Sequence, residues 1–296
     1  MRELEAADFH LLSGVEHGMR FAEWVDRSRI PKFSNLDLRE TEYRLDRCLD
    51  KELLERRTIQ YEGYQLTFEG YDALALRTFS ERGTISEVGA PLGEGKESDV
   101  LEARNGDPVA LKFHREGLTN FREVRRERDY TADRQHVSWI YTARIAAQRE
   151  FEALESLWPE VSVPKPIDHN RHALVMEKMA GTELSRARVD SVQVSETIKA
   201  ILLELQHAYN TGYVHADISE YNVFIDSAGV TIFDWPQAVT TEHPNAEEFL
   251  NRDVTNILSF FARKYPGELP QSLDAETATR HIIDQTVECL SLKSNT

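Results

Sequence analysis

The sequence predicts an α+β fold in two parts, and three stretches carry that prediction. They are a helix–hairpin–helix run over residues 37–83, three strand-like segments around a glycine loop over 83–113, and two short strands ending on Asp234 behind a long amphipathic helix. The first stretch belongs to a small N-terminal domain, residues 1–83. The other two belong to a larger domain, residues 84–296, divided into an N-lobe over about 84–176 and a C-lobe over about 180–285.

The bulk numbers agree with this division. A chain of 296 residues suits two domains at about 150 residues each, and 41% hydrophobic with 29% charged residues is an ordinary globular balance. No run of roughly 18 apolar residues occurs, and the start Met1-Arg2-Glu3-Leu4-Glu5 is not a secretory signal, so a cytoplasmic location without a membrane partner is expected. Cys48 and Cys289 stand outside any zinc-type spacing. The net charge of -16 weighs against nucleic acid on its face. With 26 Arg against 9 Lys and dispersed carboxylates, it also suits a surface adapted to a salt-rich cytoplasm.

In the N-terminal domain a helical pattern runs over residues 5–30. From Asp37, Leu45, Cys48, Leu49 and Leu53 recur at spacings of three and four, the stripe of an amphipathic helix. Arg44, Arg47 and Lys51 form a basic row on its other face and are the candidates for nucleic-acid contact. Thr58 to Leu66 reads as two short strands around a Glu62-Gly63 turn, and after Thr67, an N-cap, a last helix closes at Gly83. This order spells a winged helix. Residues 1–83 nevertheless hold 13 basic and 17 acidic side chains, so the basic row is equally read as a solvated face.

In the larger domain Gly93 and Gly95 sit between two strands, where the missing β-carbons let backbone amides approach phosphate oxygens. Lys96 and Ser98 add donors in the same loop, and Val100 follows. The next strand, Val109-Ala110-Leu111-Lys112, places Lys112 where protein kinases carry their phosphate-binding lysine. No Gly-Lys-Ser/Thr runs straight into a helix, which excludes a Walker-type loop. The helix after Ser138 carries Glu150 as the candidate ion-pair partner of Lys112, with Glu152 and Glu155 as alternatives. Residues 173–181 read as a buried strand leading to a hinge, with the Glu177 carbonyl and Met179 amide facing adenine and Met176 lining its pocket. The segment from Phe113 to Val137, rich in arginine, reads as a mobile loop.

The most specific pattern follows the helix over 194–211. His215-x-Asp217 precedes Asn222 and the strand Val223-Phe224-Ile225, and a second strand, Val230 to Phe233, ends at Asp234. Phosphoryl transfer demands a carboxylate beside the acceptor and oxygen ligands for Mg2+, and little else from the protein. Asp217 fits the first role, and Asn222 and Asp234 fit the second. His215 reads as a residue that holds the loop by hydrogen bonds.

These residues resemble the RIO family of atypical serine/threonine kinases. The resemblance rests on Gly93 to Val100 (GEGKESDV), His215 to Asn222 (HADISEYN) and Asp234 to Gln237 (DWPQ). The winged helix and His243-Pro244-Asn245-Ala246 point to the second subfamily, archaeal in size. The resemblance implies a winged helix followed by a two-lobed kinase-like domain, ATP with Mg2+ or Mn2+ as cofactors, and a role in maturing the small ribosomal subunit in contact with its RNA. It further implies autophosphorylation, with Ser138 as candidate, and a phosphoryl group received by Asp234. Ala216 departs from the glycine of most members. No Ala-Pro-Glu follows Asp234, so the segment that docks peptide substrates in ordinary kinases is missing. The rival readings are a small-molecule phosphotransferase and a winged-helix nucleic-acid regulator with a nucleotide-sensing kinase domain. The acidic surface carries its own test: the thermal midpoint should rise as potassium chloride is raised toward about 1 M, where screening lengths fall to about 3 Å, and full stability in dilute buffer would exclude a salt-adapted surface.

Overall fold

The computed structural model describes residues 4–94, 98–115, 139–269 and 273–290. Gly95, Lys96, Ser138 and the arginine-rich segment before Ser138, from residue 116 on, lie outside them. The chain divides into two units, residues 1–148 with 167–175, and residues 149–166 with 176–296.

Helix α1 (Ala6–Gly18) opens the first unit, its start held by a reciprocal capping box in which the Glu5 amide donates to Asp8 Oδ2 at 2.8 Å. The helical pattern expected over 5–30 is broken after Gly18. A Cβ on Gly18 would stand 2.6 Å from Val25, and Val25 pairs with Tyr64 as part of the two-residue strand β1 (Val25–Asp26). The short α2 (Ile30–Ser34) leads to α3 (Leu38–Asp50), capped by Asp37, which accepts from the Glu40 amide at 2.8 Å.

The hairpin is shifted from its expected place. Strand β2 is Leu54–Arg57 and β3 is Gly63–Leu66, joined in the order β1-β3-β2, so residues 58–62 are the connection. Burial explains the shift: Leu54 pairs with Leu66 and both enter the core, whereas Ile59 is 73% exposed. Helix α4 (Phe68–Glu81) begins at Thr67, whose hydroxyl accepts from the Gly70 amide at 3.1 Å and donates to the Glu52 carbonyl at 2.7 Å. Only glycine fits position 70, because a Cβ would lie 2.2 Å from the Leu53 carbonyl oxygen.

Helix α4 is buried on two sides. Tyr71 and Leu74 join Leu11, Val15, Leu45 and Cys48 in the winged-helix core, while Ala75 and Phe79 pack with Ile85, Leu111, Phe113 and Val175. The second group belongs to a five-stranded sheet and its approach. The sheet comprises β4 (Glu87–Glu94), β5 (Ser98–Asn105), β6 (Asp107–His114), β7 (Pro166–Asn170) and β8 (Ala173–Glu177), in the order β4-β5-β6-β8-β7.

The basic row expected on α3 does not face solvent. Arg44 is 8% exposed, donating to Asp8 Oδ1 at 3.1 Å and to Glu40 Oε1 at 2.7 Å, and Arg47 donates to Asp8 Oδ2 at 3.0 Å. Asp8 is fully buried, and a buried carboxylate demands such partners. Lys51 is half-buried at the end of the helix, and the exposed positions on α3 include Glu42, Tyr43, Asp46 and Asp50. The nucleic-acid reading of Arg44 and Arg47 is therefore corrected: their guanidiniums serve the core ion pair.

Helix α5 (Trp139–Leu157) starts in the first unit and ends in the second. The second unit adds α6 (Ser191–Asn210), α7 (Ala246–Lys264) and α8 (Ala275–Ile283). Its strands are β9 (Thr182–Glu183), β10 (Tyr213–Val214), β11 (Val223–Ile225), β12 (Val230–Ile232) and β13 (Val239–Thr240), forming the small sheets β12-β11-β9 and β10-β13. Ile198, Leu202 and Leu205 of α6 and Leu250, Val254 and Ile257 of α7 are buried at helical spacing. Among the described residues no helix is long and apolar enough to cross a membrane.

Burial alone would raise the Asp8 pKa, but the Glu5 amide and the two guanidiniums outweigh it and hold the carboxyl below its usual range. A depressed folded pKa means that the stabilisation is complete above the unfolded value of about 4 and is lost as pH falls through the folded value. Replacing Asp8 with Ala should cost about 2 to 3 kcal/mol in urea unfolding, since it strips a buried partner from Arg44. The gap from the parent protein should close on acidification below about pH 4.

Candidate active site

The chemistry-bearing side chains are distributed over both units. Gly93, Ser98, Val100 and Lys112 belong to the first, and Glu150, Met176, Glu177, Met179, Asp217, Asn222 and Asp234 to the second.

In the first unit, β4 and β5 pair antiparallel on either side of the glycine loop, with Gly93 opposite Val100 and Glu94 opposite Asp99. Strand β6 continues the pairing, and Val100 stands opposite Lys112. The register shifts twice between Val88 and Gly93, so β4 is irregular where it approaches the loop. Lys112 is buried, 3% exposed.

In the second unit the loop from Val214 to Asn222 is gripped by α7. The Asp253 carboxylate, fully buried, accepts the Ala216 amide at 2.7 Å and the Ile218 amide at 3.1 Å, one on each side of Asp217. Arg252 donates to the Ala216 carbonyl, and Asn256 donates to the Ile218 carbonyl at 3.1 Å. Burial raises the Asp253 pKa to about 6 against the lowering effect of its two amide bonds. Ala216 is held at φ +64, the left-handed region that favours glycine. That backbone requirement is the physical reason for a glycine at this place, and here alanine bears the strain.

His215 is 1% exposed. Its Nδ1 accepts from the Asp217 amide at 3.3 Å, which assigns the proton to Nε2, and Nε2 donates to the Phe233 carbonyl at 3.1 Å. Its ring lies 4.5 Å from that of Trp235. The histidine thus ties the catalytic loop to the strand that ends in Asp234. The Asp217 carboxyl is raised above its ordinary value, chiefly by burial and further by the charge of Asp234, against the opposing charge of Arg252. A raised carboxyl pKa suits a proton acceptor.

Asn222 is 7% exposed, and its Nδ2 lies 3.5 Å from Asp234 Oδ2 while its Oδ1 accepts from the Ser219 hydroxyl. The Phe233 amide donates to the Asn222 carbonyl at 3.0 Å, which fixes the two side chains' strands together. A half-turn of the amide leaves Nδ2 to donate to Ser219 and presents Oδ1 beside Asp234. The pair then offers two oxygens to a divalent cation. Among the described residues no group of three or more His, Cys, Asp or Glu is placed to hold a metal. The Asn222 and Asp234 oxygens are a donor pair of the kind that suits Mg2+, which takes one or two protein ligands and completes its shell with phosphates and water.

Glu150 is 1% exposed and accepts the Trp235 amide at 3.2 Å, whereas Glu152 and Glu155 are exposed. The buried glutamate of α5 is therefore joined to the residue that follows Asp234. Met176 is 8% exposed at the end of β8, and the Glu177 amide donates to the Lys165 carbonyl at 2.9 Å. Asp253, Arg252 and Asn256 were not among the residues singled out in the sequence, and Trp235 stood there only as part of the DWPQ motif. The legible sign was an acid at position 253 inside the apolar stripe Leu250, Val254 and Ile257.

A five-stranded sheet bearing a glycine loop and a buried strand lysine, with a His-x-Asp, Asn and Asp set on a helical unit, defines a protein-kinase-like phosphotransferase fold. Comparison with known proteins is more specific. The RIO domain family matches residues 99–273, and the Rio2 N-terminal family matches residues 1–82. The RIO-type serine/threonine-protein kinase Rio2 of Methanocaldococcus jannaschii is 39% identical over 271 residues, covering 89% of this chain and 99% of that protein. Rio2 of Dictyostelium discoideum is 38% identical over 90% of this chain, which spans about half of that longer protein (51%). The crystal structure of the Chaetomium thermophilum Rio2 kinase in an ADP/Mg2+-phosphoaspartate complex superposes with a TM-score of 0.78 at 31% identity, covering 99% of this chain and 89% of that one. The chain belongs to the RIO family of serine/threonine-protein kinases, with the N-terminal domain of the Rio2 group.

The strain at Ala216 is directly testable. Ala216→Gly should raise stability by about 0.5 to 1 kcal/mol, the left-handed cost of alanine less the extra unfolded-state freedom of glycine, and should leave phosphoryl transfer intact. Ala216→Val should destabilise and lower turnover, since a β-branched residue resists positive φ.

Proposed function

We propose that this chain is an ATP- and Mg2+-dependent kinase that works mainly as a nucleotide-driven switch in maturation of the small ribosomal subunit, with Asp234 receiving the phosphoryl group. The observation that carries the reading is the arrangement of Asp217, Asn222 and Asp234 on one scaffold, with Asp253 and His215 holding the loop. Similarity to a Rio2 kinase solved as an ADP/Mg2+-phosphoaspartate complex supports it.

Bound Mg2+ supplies charge neutralisation across the phosphates, and Mn2+ can serve the same donors. Asn222 and Asp234 would hold it, and Lys112 and the amides near Gly93 and Ser98 would orient the phosphates. An Asp234 oxygen attacks the γ-phosphorus, the bond to the β,γ-bridging oxygen breaks, and ADP departs with that electron pair. Water then cleaves the acyl phosphate and regenerates the carboxylate. With a hydroxyl acceptor, Asp217 accepts the hydroxyl proton as the new P–O bond forms. The missing Ala-Pro-Glu segment favours the first route over peptide phosphorylation.

The proposed partner is a pre-ribosomal particle and its RNA, in the cytoplasm, a reading that the family resemblance supports. The acidic exposed face of α3 disfavours phosphate, so RNA contact would fall to other surfaces of the chain.

Asp217→Ala should lower phosphoryl transfer to a hydroxyl acceptor by about 100-fold to 10,000-fold. Asp234→Ala should abolish both Mg2+-dependent turnover and any acyl phosphate. Mass spectrometry after incubation with labelled ATP, scoring acid-labile acyl phosphate against acid-stable phosphoserine, separates switch from kinase; label only on serine would overturn the phospho-aspartate reading.

A further inference from the structure

We propose that Asp72, a residue of the winged helix, is a positioning residue for the ends of β5 and β6 that carry Ser98 and Lys112, acting through Arg115. Asp72 lies on α4, and its carboxylate receives both arms of the Arg115 guanidinium, at 2.6 Å to Oδ1 and 2.7 Å to Oδ2. The third nitrogen of the same guanidinium, Nε, donates to Asp99 Oδ2 at 2.7 Å. Arg115 follows β6 three residues after Lys112, and Asp99 is the second residue of β5, opposite Phe113 in register and opposite Glu94 across the glycine loop. One guanidinium therefore ties the loop-proximal ends of two strands to a helix of the neighbouring domain.

The surroundings make the clamp stiff. Arg115 lies over the rings of Phe68 and Phe113, 5.1 and 5.2 Å from their centroids. The His172 imidazole, fully buried between β7 and β8, donates from Nε2 to Asp72 Oδ1 at 2.7 Å and stacks on Tyr71 at 4.4 Å. The His114 amide donates to the His172 carbonyl at 2.9 Å, so the strand next to β6 is held by the same node. Bidentate pairing in a place with little water is directional, and lysine or asparagine cannot reproduce it. The winged helix is thereby part of the nucleotide site, and whatever binds the winged helix has a physical route to the phosphates.

This inference rests on the reading that Ser98 and Lys112 bind phosphate. The test measures affinities of the full chain for ATP with Mg2+ and for adenosine, which lacks phosphates, by calorimetry. Asp72→Asn and Arg115→Lys should each weaken ATP about tenfold while leaving adenosine within about twofold. Glu16→Gln serves as control, because Glu16 makes a second winged-helix link to the sheet, pairing with Arg171 at 2.9 Å away from the glycine loop; it should leave both affinities unchanged. The proposal is overturned if the Asp72 and Arg115 variants bind ATP as the parent does, if ATP and adenosine weaken together, or if Glu16→Gln has the same effect. A parent protein that binds ATP no better than adenosine would instead overturn the phosphate reading of Ser98 and Lys112, and the inference with it.

Discussion

The second unit depends on one buried carboxylate. Asp253 has no exposure and accepts two consecutive-but-one amides, those of Ala216 and Ile218, which fixes the peptide planes on both sides of Asp217. Holding an ionisable group in that position raises its pKa to about 6, and the same burial makes each of its hydrogen bonds directional and hard to replace. From this point the constraint spreads. Arg252 and Asn256 hold the carbonyls of the same two residues, His215 carries the loop across to Phe233, and Asn222 closes back on the strand before Asp234. Trp235, directly after Asp234, is tied to Glu150 of α5. A strained Ala216 persists because every neighbouring group is already committed.

The first unit is organised by a helix instead of a carboxylate. Helix α4 gives Tyr71 and Leu74 to one core and Ala75 and Phe79 to another, so the winged helix and the five-stranded sheet share an element. Polar links run along the same seam: Asp72 with Arg115, Glu16 with Arg171, and Arg82 with Asp168 at 2.7 Å. The sequence boundary at residue 83 falls inside this unit. A change of fold in the sequence is therefore not a change of packing unit, because α4 buries both of its faces.

The second unit also carries the groups that the proposed phosphoryl transfer uses. Asp234, the residue proposed to hold Mg2+, has left-handed backbone, at φ +68. An acid with a raised pKa stands in the adjoining loop. Neither feature requires a peptide-docking segment.

The sequence by itself determined the identity of the chemistry. Glycine loop, strand lysine, His-x-Asp, Asn and Asp are local in sequence, each set by the types of atom that phosphate, metal and proton require, so spacing alone exposes them. Helix starts at Asp37 and Thr67 were legible for the same reason, since a cap is a bond between residues three apart. What the sequence could not decide was which side of an element is buried. Arg44 and Arg47 look like a solvent-facing row until Asp8, 36 and 39 residues away, is seen to lie between them. The hairpin moved because Leu54 finds Leu66 across the sheet while β-branched Ile59 stays in water. Glu150 stood first among three glutamates in the sequence, and tertiary packing separated it from Glu152 and Glu155 by burying it alone. Asp72 was silent, and Asp253 showed only as an acid inside an apolar stripe, because a carboxylate's role is fixed by the donors that surround it, and those donors arrive from distant parts of the chain.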